Sequence, residues 1–450
     1  MSQVTPPTEQ NVNEPAATTD APQPGVKRFI GIDWNFGAVA NASPRFWMWV
    51  GLLGTFVALG AVSWIIFVTH GAGVMAQRDG SPWGLWFTLY MYYVGLSAGG
   101  LVVYASVHLF NAQVFRPLSR IAVLQAAVLV LMALLSVFTD FERPWRFMWF
   151  LITPNPTAPF VYTGSAATLY MILCFADLWV LISGKGGEKL AFTMTLIALP
   201  TAIYLHTTTA FVLALNKSRE LWHTAVMVPI FLTSATASGV ALLLIFAYVL
   251  QGLGVMKFKR TMFRSLATLL ATVIIIDLFL LTVEILTVFW PTSASPGHTI
   301  RMSEFLVGRY APFFLPVLFL GMIAFALLAR RPTRHIPAVQ LTAATLYVVA
   351  IFLKRYVLMA MGFSLTPLGQ RTPIYFPSLI ELSIAAMILG IGLLIVTFAA
   401  KVLPLEVPEE EEHAKVWVTD EDEAPAAVPE PTGATAALAE PTLEPGVGSL

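Results

Sequence analysis

The polar residues best suited to chemistry lie where long apolar runs end. The densest group spans Asp140–Arg146 (Asp-Phe-Glu-Arg-Pro-Trp-Arg), and Tyr162 and Thr163 follow at the start of the next run. A quinone head group needs hydrogen-bond donors for its two carbonyl oxygens, apolar walls for its ring and a base for the protons that its quinol releases. These residues, with His70 at the end of the first run, could meet those needs. The alternative is an interfacial belt of Trp, Tyr and Arg.

Other ionisable residues lie inside the apolar runs, where lipid makes them costly and functional roles are common. Asp277 and Glu284 are seven residues apart, two turns along one helix face and roughly 10 Å of rise, which suits a proton relay through water. Alternatively, both carboxylates are structural partners of Lys354 and Arg355. The residues predicted to form a proton path are Asp177, His206, Asp277, Glu284, Lys354, Arg355 and Glu381.

Redox metals are expected to belong to partner subunits. Cys174 is the only cysteine, which excludes a Cys-ligated iron–sulfur cluster and a Cys-x-x-Cys-His haem attachment within this chain. His206 lies deep in a run, where it could exchange protons, ligate haem or hydrogen-bond between helices. The other histidines lie at run ends, in loops or in the tail, whereas a bis-His haem needs a second deep histidine. We therefore predict no metal site.

Long apolar helices must position these residues. Hydrophobic residues make up 57% of the chain and charged residues only 12%, against about 25% charge in soluble domains. The runs are too long for barrel strands and show no alternation, so helices are the structure that satisfies the backbone in lipid. The sequence predicts an all-α polytopic membrane protein with about ten transmembrane helices, near 46–69, 84–110, 119–139, 159–183, 190–214, 223–250, 265–289, 311–330, 336–360 and 378–400.

Lys and Arg set the predicted orientation. They are more numerous in the short connections on one side, so the positive-inside rule places both termini in the cytoplasm and the longer loops outside. The tails are rich in Pro and Ala, and the C-terminal one is acidic, which is typical of disorder. We predict a cytoplasmic disordered tail (1–45), a transmembrane domain (46–404) and an acidic disordered cytoplasmic tail (405–450).

An internal repeat is visible along the chain. Trp83 is followed twelve residues later by Gly-Leu-Ser-Ala-Gly-Gly, and Trp222 is followed twelve residues later by Ser-Ala-Thr-Ala-Ser-Gly. An Ala-Pro-Phe sequence opens both the fourth and the eighth run. Chance similarity of apolar helices is the alternative. The pattern predicts two parallel four-helix bundles, formed by helices 2–5 (about 83–214) and helices 6–9 (about 222–360).

Several motifs carry a resemblance to a known family. They are Trp83-Gly84-Leu85, Val94–Gly100, Asp140-x-x-Arg143-Pro144, Leu205-His206, Arg355-Tyr356 and Tyr375-x-Pro377-x-x-x-Glu381. In this order the chain, from about Phe46 to Pro404, resembles the NrfD family, which includes the polysulfide reductase membrane subunit. One departure is that several relatives have His-Leu-Gly-Arg-Pro where this chain has Asp140–Pro144. Some relatives also carry Asp near the position of Thr163.

The resemblance implies a quinone-interacting membrane subunit of a respiratory complex in a bacterial or archaeal cytoplasmic (inner) membrane. Its substrate would be menaquinone or ubiquinone, bound non-covalently. The implied partners are a ferredoxin-like iron–sulfur subunit and a molybdenum enzyme or multihaem cytochrome subunit, docked on the outer loops. Membrane lipid surrounds the helices, and no nucleic acid is expected.

On this hypothesis Asp140 accepts a proton from quinol, and His70 and Tyr162 are its hydrogen-bonding partners in catalysis. Arg143 tunes the charge of Asp140. The residues expected to contact the quinone are Trp83, Arg143, Trp145 and Thr163. Two rival hypotheses are an ion- or proton-coupled transporter, which parallel repeats and buried charges also fit, and a structural or proton-conducting anchor subunit without a quinone site.

The orientation can be tested by reporter fusions. Fusions after Gly186 and after Thr157 should report opposite sides of the membrane, with the first in the cytoplasm, because the basic connections favour that side. A cytoplasmic signal from the fusion after Thr157 would contradict the predicted orientation and place the proposed quinone site on the other face.

Overall fold

Ten apolar helices long enough to cross a membrane dominate the part of the chain that the structure describes. The structure is a computed structural model, and it describes residues 26–29, 31–185, 187–219, 222–289, 303–364 and 371–406. The prediction of an all-α polytopic membrane protein is confirmed.

The spanning helices, numbered in chain order, begin and end within a few residues of the predicted runs. They are α1 (Pro44–His70), α2 (Leu85–Phe110), α3 (Ser119–Asp140), α4 (Pro159–Ser183), α5 (Gly187–Ala214), α6 (Met227–Gly252), α7 (Arg260–Phe289), α8 (Ala311–Ala329), α9 (Pro337–Gly362) and α10 (Leu379–Val402). A short helix precedes α1 at Phe36–Ala40, and short helical segments lie between the spanning helices at Ala72–Val74, Gln113–Leu118, Pro144–Arg146, Phe147–Ile152 and Arg331–Arg334.

The helix ends follow local sequence signals. The Ser43 side chain accepts a hydrogen bond from the backbone at the start of α1, and Ser378 forms a reciprocal capping box with Glu381 at the start of α10. Gly71 and Gly184 end α1 and α4 with φ values of 75° and 64°, a region that glycine adopts without steric cost. These signals explain why hydropathy alone located the helices well.

The described residues 26–29 and 31–40, expected to belong to a disordered tail, instead form two paired strands and a short helix. Strand β1 (Val26–Phe29) pairs antiparallel with β2 (Ile32–Asn35), and Gly31 in the turn has a φ of 79°. The Ile32 side chain is buried, and β2 contacts α4 and α10. Residues 1–25 and 407–450 of the predicted tails lie outside the described residues.

The helices of the two predicted repeats contact one another in the same cyclic order. In the first set α2, α3, α4 and α5 form a ring in which each helix touches the next, and α5 returns to α2. In the second set α6, α7, α8 and α9 form the corresponding ring. Helix α1 packs on α10, which also contacts α3. The most extensive packing between the two rings is that of α2 against α6.

Two glycines let the backbones of α2 and α6 touch. A Cβ atom added to Gly99 would lie 2.2 Å from the Val240 nitrogen, and one added to Gly239 would lie 2.4 Å from the Gly99 nitrogen. Small residues at such crossings allow close packing where lipid provides no hydrophobic drive. The buried Gln125 amide of α3 reinforces the crossing by donating to the carbonyl oxygens of Leu96 and Gly239, at 3.2 and 2.9 Å.

This crossing predicts a strong effect of Gly99→Ala. The added methyl group must displace backbone atoms of α6, so we expect a loss of about 1–3 kcal/mol in the free energy of unfolding. The unfolding temperature of the purified protein should fall accordingly. Gly51→Ala in α1 is the matched control, because nothing lies within 4 Å of a Cβ there, and the gain in helix propensity is the same. Equal unfolding temperatures for the two variants would contradict the role of the crossing.

Candidate functional site

The candidate site lies at the face where α1, α3, α5 and α9 end and α2, α4, α6 and α10 begin. We call it the mouth face. Because successive spanning helices run in opposite directions, the loops 71–84 and 141–158 and the segment 371–378 all meet there. It is the face that the sequence predicts to be outside the cell.

Asp140, the last residue of α3, is hydrogen-bonded to the loop that connects α1 and α2. The Gln77 side-chain amide donates to Asp140 Oδ1 at 3.0 Å. Asp140 as a whole residue is partly exposed at the mouth face, and its carboxyl group lies within electrostatic range of Glu381. A carboxyl group with a single amide donor keeps a lone pair available for a proton.

Glu381 is fully buried and holds this loop in place. Its Oε2 accepts from the backbone N–H groups of Ala76 and Ser378 at 3.2 and 2.6 Å, and its Oε1 accepts from the Tyr375 hydroxyl at 2.7 Å. The Tyr375 oxygen in turn accepts from the Leu85 N–H at 2.8 Å, at the start of α2. Burial, with a smaller contribution from the Glu381 carboxylate, raises the pKa of Tyr375, so its hydroxyl remains the donor.

The side chains of Gln77 and Tyr375 meet at the backbone of Gly84. A Cβ on Gly84 would lie 2.7 Å from the Tyr375 hydroxyl and 3.0 Å from the Gln77 amide nitrogen. Both side chains therefore pack directly on the backbone of this residue. We call Gln77, Asp140, Tyr375 and Glu381 the mouth cluster.

Aromatic rings adjoin the mouth cluster. Trp83 stacks on Trp222 with their ring centroids 5.4 Å apart and their planes 9° from parallel. Phe363 meets both rings edge-on, and Phe87 and Phe160 close the other edges of Trp83, at 4.5 and 5.6 Å. These five residues, here called the aromatic box, come from both repeats. They provide the apolar walls that a flat ring requires.

Beneath the aromatic box lie three buried hydroxyl groups. Thr163 is 3.0 Å from the Tyr90 hydroxyl and 2.9 Å from that of Thr209, which donates to the Leu205 carbonyl. Tyr90 also stacks near Phe87, with 6.3 Å between ring centroids. Thr163, predicted as a quinone contact, therefore lies in a polar network below the box and directly connected to it.

The other residues predicted for the quinone site lie at the surface. The His70 ring is exposed and interacts with its own helix, 3.1 Å from the Ile66 carbonyl. The Tyr162 hydroxyl donates to the Pro156 carbonyl at 2.7 Å. Arg143 and Trp145 are exposed, and among the described residues Arg143 forms no ion pair with Asp140. The structure groups Asp140 with Gln77 and Glu381 and does not bring these four residues to it.

The ionisable residues of the second ring lie at three separate positions. Lys354 pairs with Asp277 at 2.7 Å in a fully buried ion pair, and the Tyr347 hydroxyl donates to the same carboxylate at 2.9 Å. Glu284, closer to the mouth face, accepts from the Thr224 hydroxyl at 3.0 Å. Among the described residues, Arg355 donates no hydrogen bond to either carboxylate. Its Nη2 donates to Ser234 at 2.7 Å, and its guanidinium stacks 3.8 Å from the centre of the Phe231 ring.

His206 and Asp177 belong to the first ring. The His206 ring bridges α5 to α2, with Nε2 3.0 Å from the Val94 carbonyl and Nδ1 2.7 Å from the Ala202 carbonyl. Asp177 is fully buried in α4. Within the described ranges, no three His, Cys, Asp or Glu residues are placed to hold a metal ion.

A family model described as polysulphide reductase, NrfD, matches residues 73–367. The chain belongs to the NrfD family. The matched range covers the helices from α2 to α9 and the whole aromatic box, and the resemblance inferred from the motifs is confirmed.

Three proteins are similar to this chain. It is 26% identical over 398 residues to a putative dimethyl sulfoxide reductase membrane subunit of Halobacterium salinarum, covering 80% of this chain and 91% of that one. It is 27% identical to a selenate reductase subunit of Mesobacillus selenatarsenatis, covering 80% and 94%. It is 28% identical to an Hdr-like menaquinol oxidoreductase integral membrane subunit of Archaeoglobus fulgidus, covering 55% and 62%.

Some residues of this site had signals that pointed to it and others had none. Trp222 is the counterpart of Trp83 in the predicted repeat, and Tyr375 belongs to the family motif that ends at Glu381, so both could have been placed at the site. Gln77 lies in a loop without a motif, and Tyr90 and Thr209 lie in uniformly apolar helices. Only the fold brings these three to the mouth face.

Proposed function

We propose that this NrfD-family protein is the quinol- and quinone-binding membrane subunit of a respiratory oxidoreductase complex, with the head group bound between the mouth cluster and the aromatic box. The observation that carries the proposal is the position of Asp140. Its carboxyl group accepts a hydrogen bond from Gln77, and Gln77 packs on Gly84, the residue next to Trp83 of the stacked tryptophan pair. A quinone ring fits aromatic walls, and its oxygens fit an amide donor and a carboxyl group.

Oxidation of a quinol releases two electrons and two protons. Asp140 would accept one proton from a hydroxyl group of the quinol while Gln77 holds the carboxylate in position, release it to water at the mouth face, and then accept the second proton. The electrons would leave to a metal centre on a partner subunit docked at the mouth face.

The names of the relatives support the class of partner. Two of them are named as subunits of dimethyl sulfoxide and selenate reductases, and one is named as a membrane subunit of a menaquinol oxidoreductase. We therefore propose menaquinone or ubiquinone as substrate, and an iron–sulfur subunit with a molybdenum enzyme, or a multihaem cytochrome, as partner. A cytoplasmic membrane with the mouth face outward is the corresponding location.

Proton transfer through the second ring is part of the proposal. Glu284 is bound to Thr224, whose N–H contacts the carbonyl oxygen of Trp222 in the aromatic box at 2.9 Å. Two turns deeper in α7, Asp277 forms an ion pair with Lys354. A proton released at the mouth face would therefore reach Glu284 first, and the buried ion pair could change its protonation in response.

Asp140→Asn tests the proposed base. Asparagine keeps the shape and can still accept the hydrogen bond from Gln77, but it cannot take a proton, so quinol oxidation by the assembled complex should fall about 100-fold or more. Binding of a quinone analogue, measured by titration, should change much less. The matched control is Glu142→Gln, because Glu142 is exposed and lies against Gly71 in the same loop region. Normal turnover of Asp140→Asn would place the base elsewhere, with His70 the next residue to test.

Glu284→Gln tests the proton path. The glutamine can still accept from Thr224, so assembly and quinol binding should remain intact, while proton uptake during turnover in reconstituted vesicles should fall several-fold. Asp79→Asn, an exposed carboxylate on the mouth face, should leave uptake unchanged. If Glu284→Gln takes up protons at the normal rate, the carboxylates of α7 are structural.

A further inference from the structure

Asp177 is a buried carboxyl group whose neighbour is the Tyr104 hydroxyl. Asp177 is 0% exposed, and neither of its oxygens has a partner in hydrogen-bonding geometry among the described residues. This distinguishes it from Asp277, which is satisfied by Lys354 and Tyr347. An ionised carboxylate without a partner costs several kcal/mol or more to bury, so the group is stable here only as a neutral acid.

The surroundings of Asp177 are polar but contain no cation among the described residues. The ionisable groups that face it are the hydroxyls of Tyr104 and Tyr170 and the thiol of Cys174. Tyr104 also interacts with Thr195 of α5. Its own hydroxyl oxygen lacks a partner in hydrogen-bonding geometry. An acid and a hydroxyl that face each other, both unsatisfied, form the pair of groups that an ordered water molecule bridges in protein interiors.

A line of titratable groups leads from Asp177 to the face opposite the mouth. Asp177 and Tyr104 each lie six residues before the end of their helices, at Ser183 and Phe110, or roughly 9 Å from that face. His108 lies one turn beyond Tyr104, with 4.5 Å between the ring centroids and 3.2 Å between Nδ1 and the Tyr104 carbonyl.

Solvent reaches the outer end of this line. His108 is partly exposed and lies within electrostatic range of Arg116 and Glu188. Those two residues approach to 3.7 Å, and the Glu188 side chain is 55% exposed. The imidazole therefore lies between water at this face and the phenol of Tyr104, and the two nitrogens of a histidine ring suit it to pass a proton on.

We propose that Asp177 is a protonated carboxylic acid that exchanges its proton with the face opposite the mouth, through Tyr104 and His108. The first ring thus contains a proton site of its own, separate from Asp277 and Glu284 in the second ring. The step is a proton transfer only: Asp177 releases its proton to Tyr104 or a bridging water, and the same route returns one. It requires neither quinol nor a redox partner, so it stands if the proposed quinone site fails.

Labelling of the detergent-purified full-length protein with dicyclohexylcarbodiimide tests the protonation state. This lipophilic reagent modifies buried carboxyl groups that carry a proton. Peptide mass spectrometry should find an adduct on Asp177 and none on Asp277, whose carboxylate is held by Lys354. In infrared spectra, Asp177→Asn should remove a carbonyl band of a protonated acid. An unlabelled Asp177 in the wild-type protein would overturn the proposal, whether or not the variant assembles.

Hydrogen–deuterium exchange tests the route. Transfer to D₂O shifts the Asp177 acid band at a measurable rate, and His108→Gln should slow that shift about tenfold or more, because glutamine cannot relay a proton. His223→Gln is the matched control, since His223 also contacts a helix carbonyl, 2.6 Å from that of Ala214, but lies at the mouth face. Its exchange rate should equal that of the wild type. Equally fast exchange in His108→Gln would show that the proton does not pass through His108.

Discussion

The contact between the backbones of α2 and α6 determines the rest of the arrangement. Gly99 and Gly239 allow the helix axes to approach until backbone atoms touch, and Gln125 bonds to both helices at this point. Trp83 lies sixteen residues before Gly99, and Trp222 lies seventeen residues before Gly239. The same crossing therefore brings the two tryptophans into contact at the mouth face, and with them the aromatic walls of the candidate site.

Polar groups in the apolar interior divide into those that hold the fold and those that remain available for chemistry. Gln125 and Glu381 each have donors or acceptors that fix neighbouring segments, and the ion pair of Asp277 with Lys354 is complete. Asp140 and Asp177 are different, because one has a single amide donor and the oxygens of the other have no partner in hydrogen-bonding geometry among the described residues. In a medium that makes unsatisfied groups expensive, an incompletely bonded carboxyl group is a candidate for the proton chemistry proposed above.

The sequence predicted the helices and the family but not the contacts of the site. Long apolar runs, proline at helix starts and glycine at helix ends determine where each span begins and ends. The rotation of each helix about its own axis is not determined in this way, because most faces of these helices are apolar. Asp140 was therefore expected beside Tyr162 and His70, which are on the same face of the membrane. Its observed partner is instead Gln77, in the loop between α1 and α2. The proposed proton site at Asp177 likewise depends on which side chains of α2 and α5 turn toward α4.

The hydrogen bond between the Ala76 N–H and Glu381 joins residues 305 positions apart. The first interhelical loop thus receives its anchor from the last spanning helix. During synthesis, nine helices must enter the membrane before the residue that fixes this loop leaves the ribosome. A chain that stops short of α10 would insert most of its helices and still lack an ordered mouth. The candidate site is therefore complete only after α10 has been made and inserted. A truncated product would lack an ordered surface for a partner subunit.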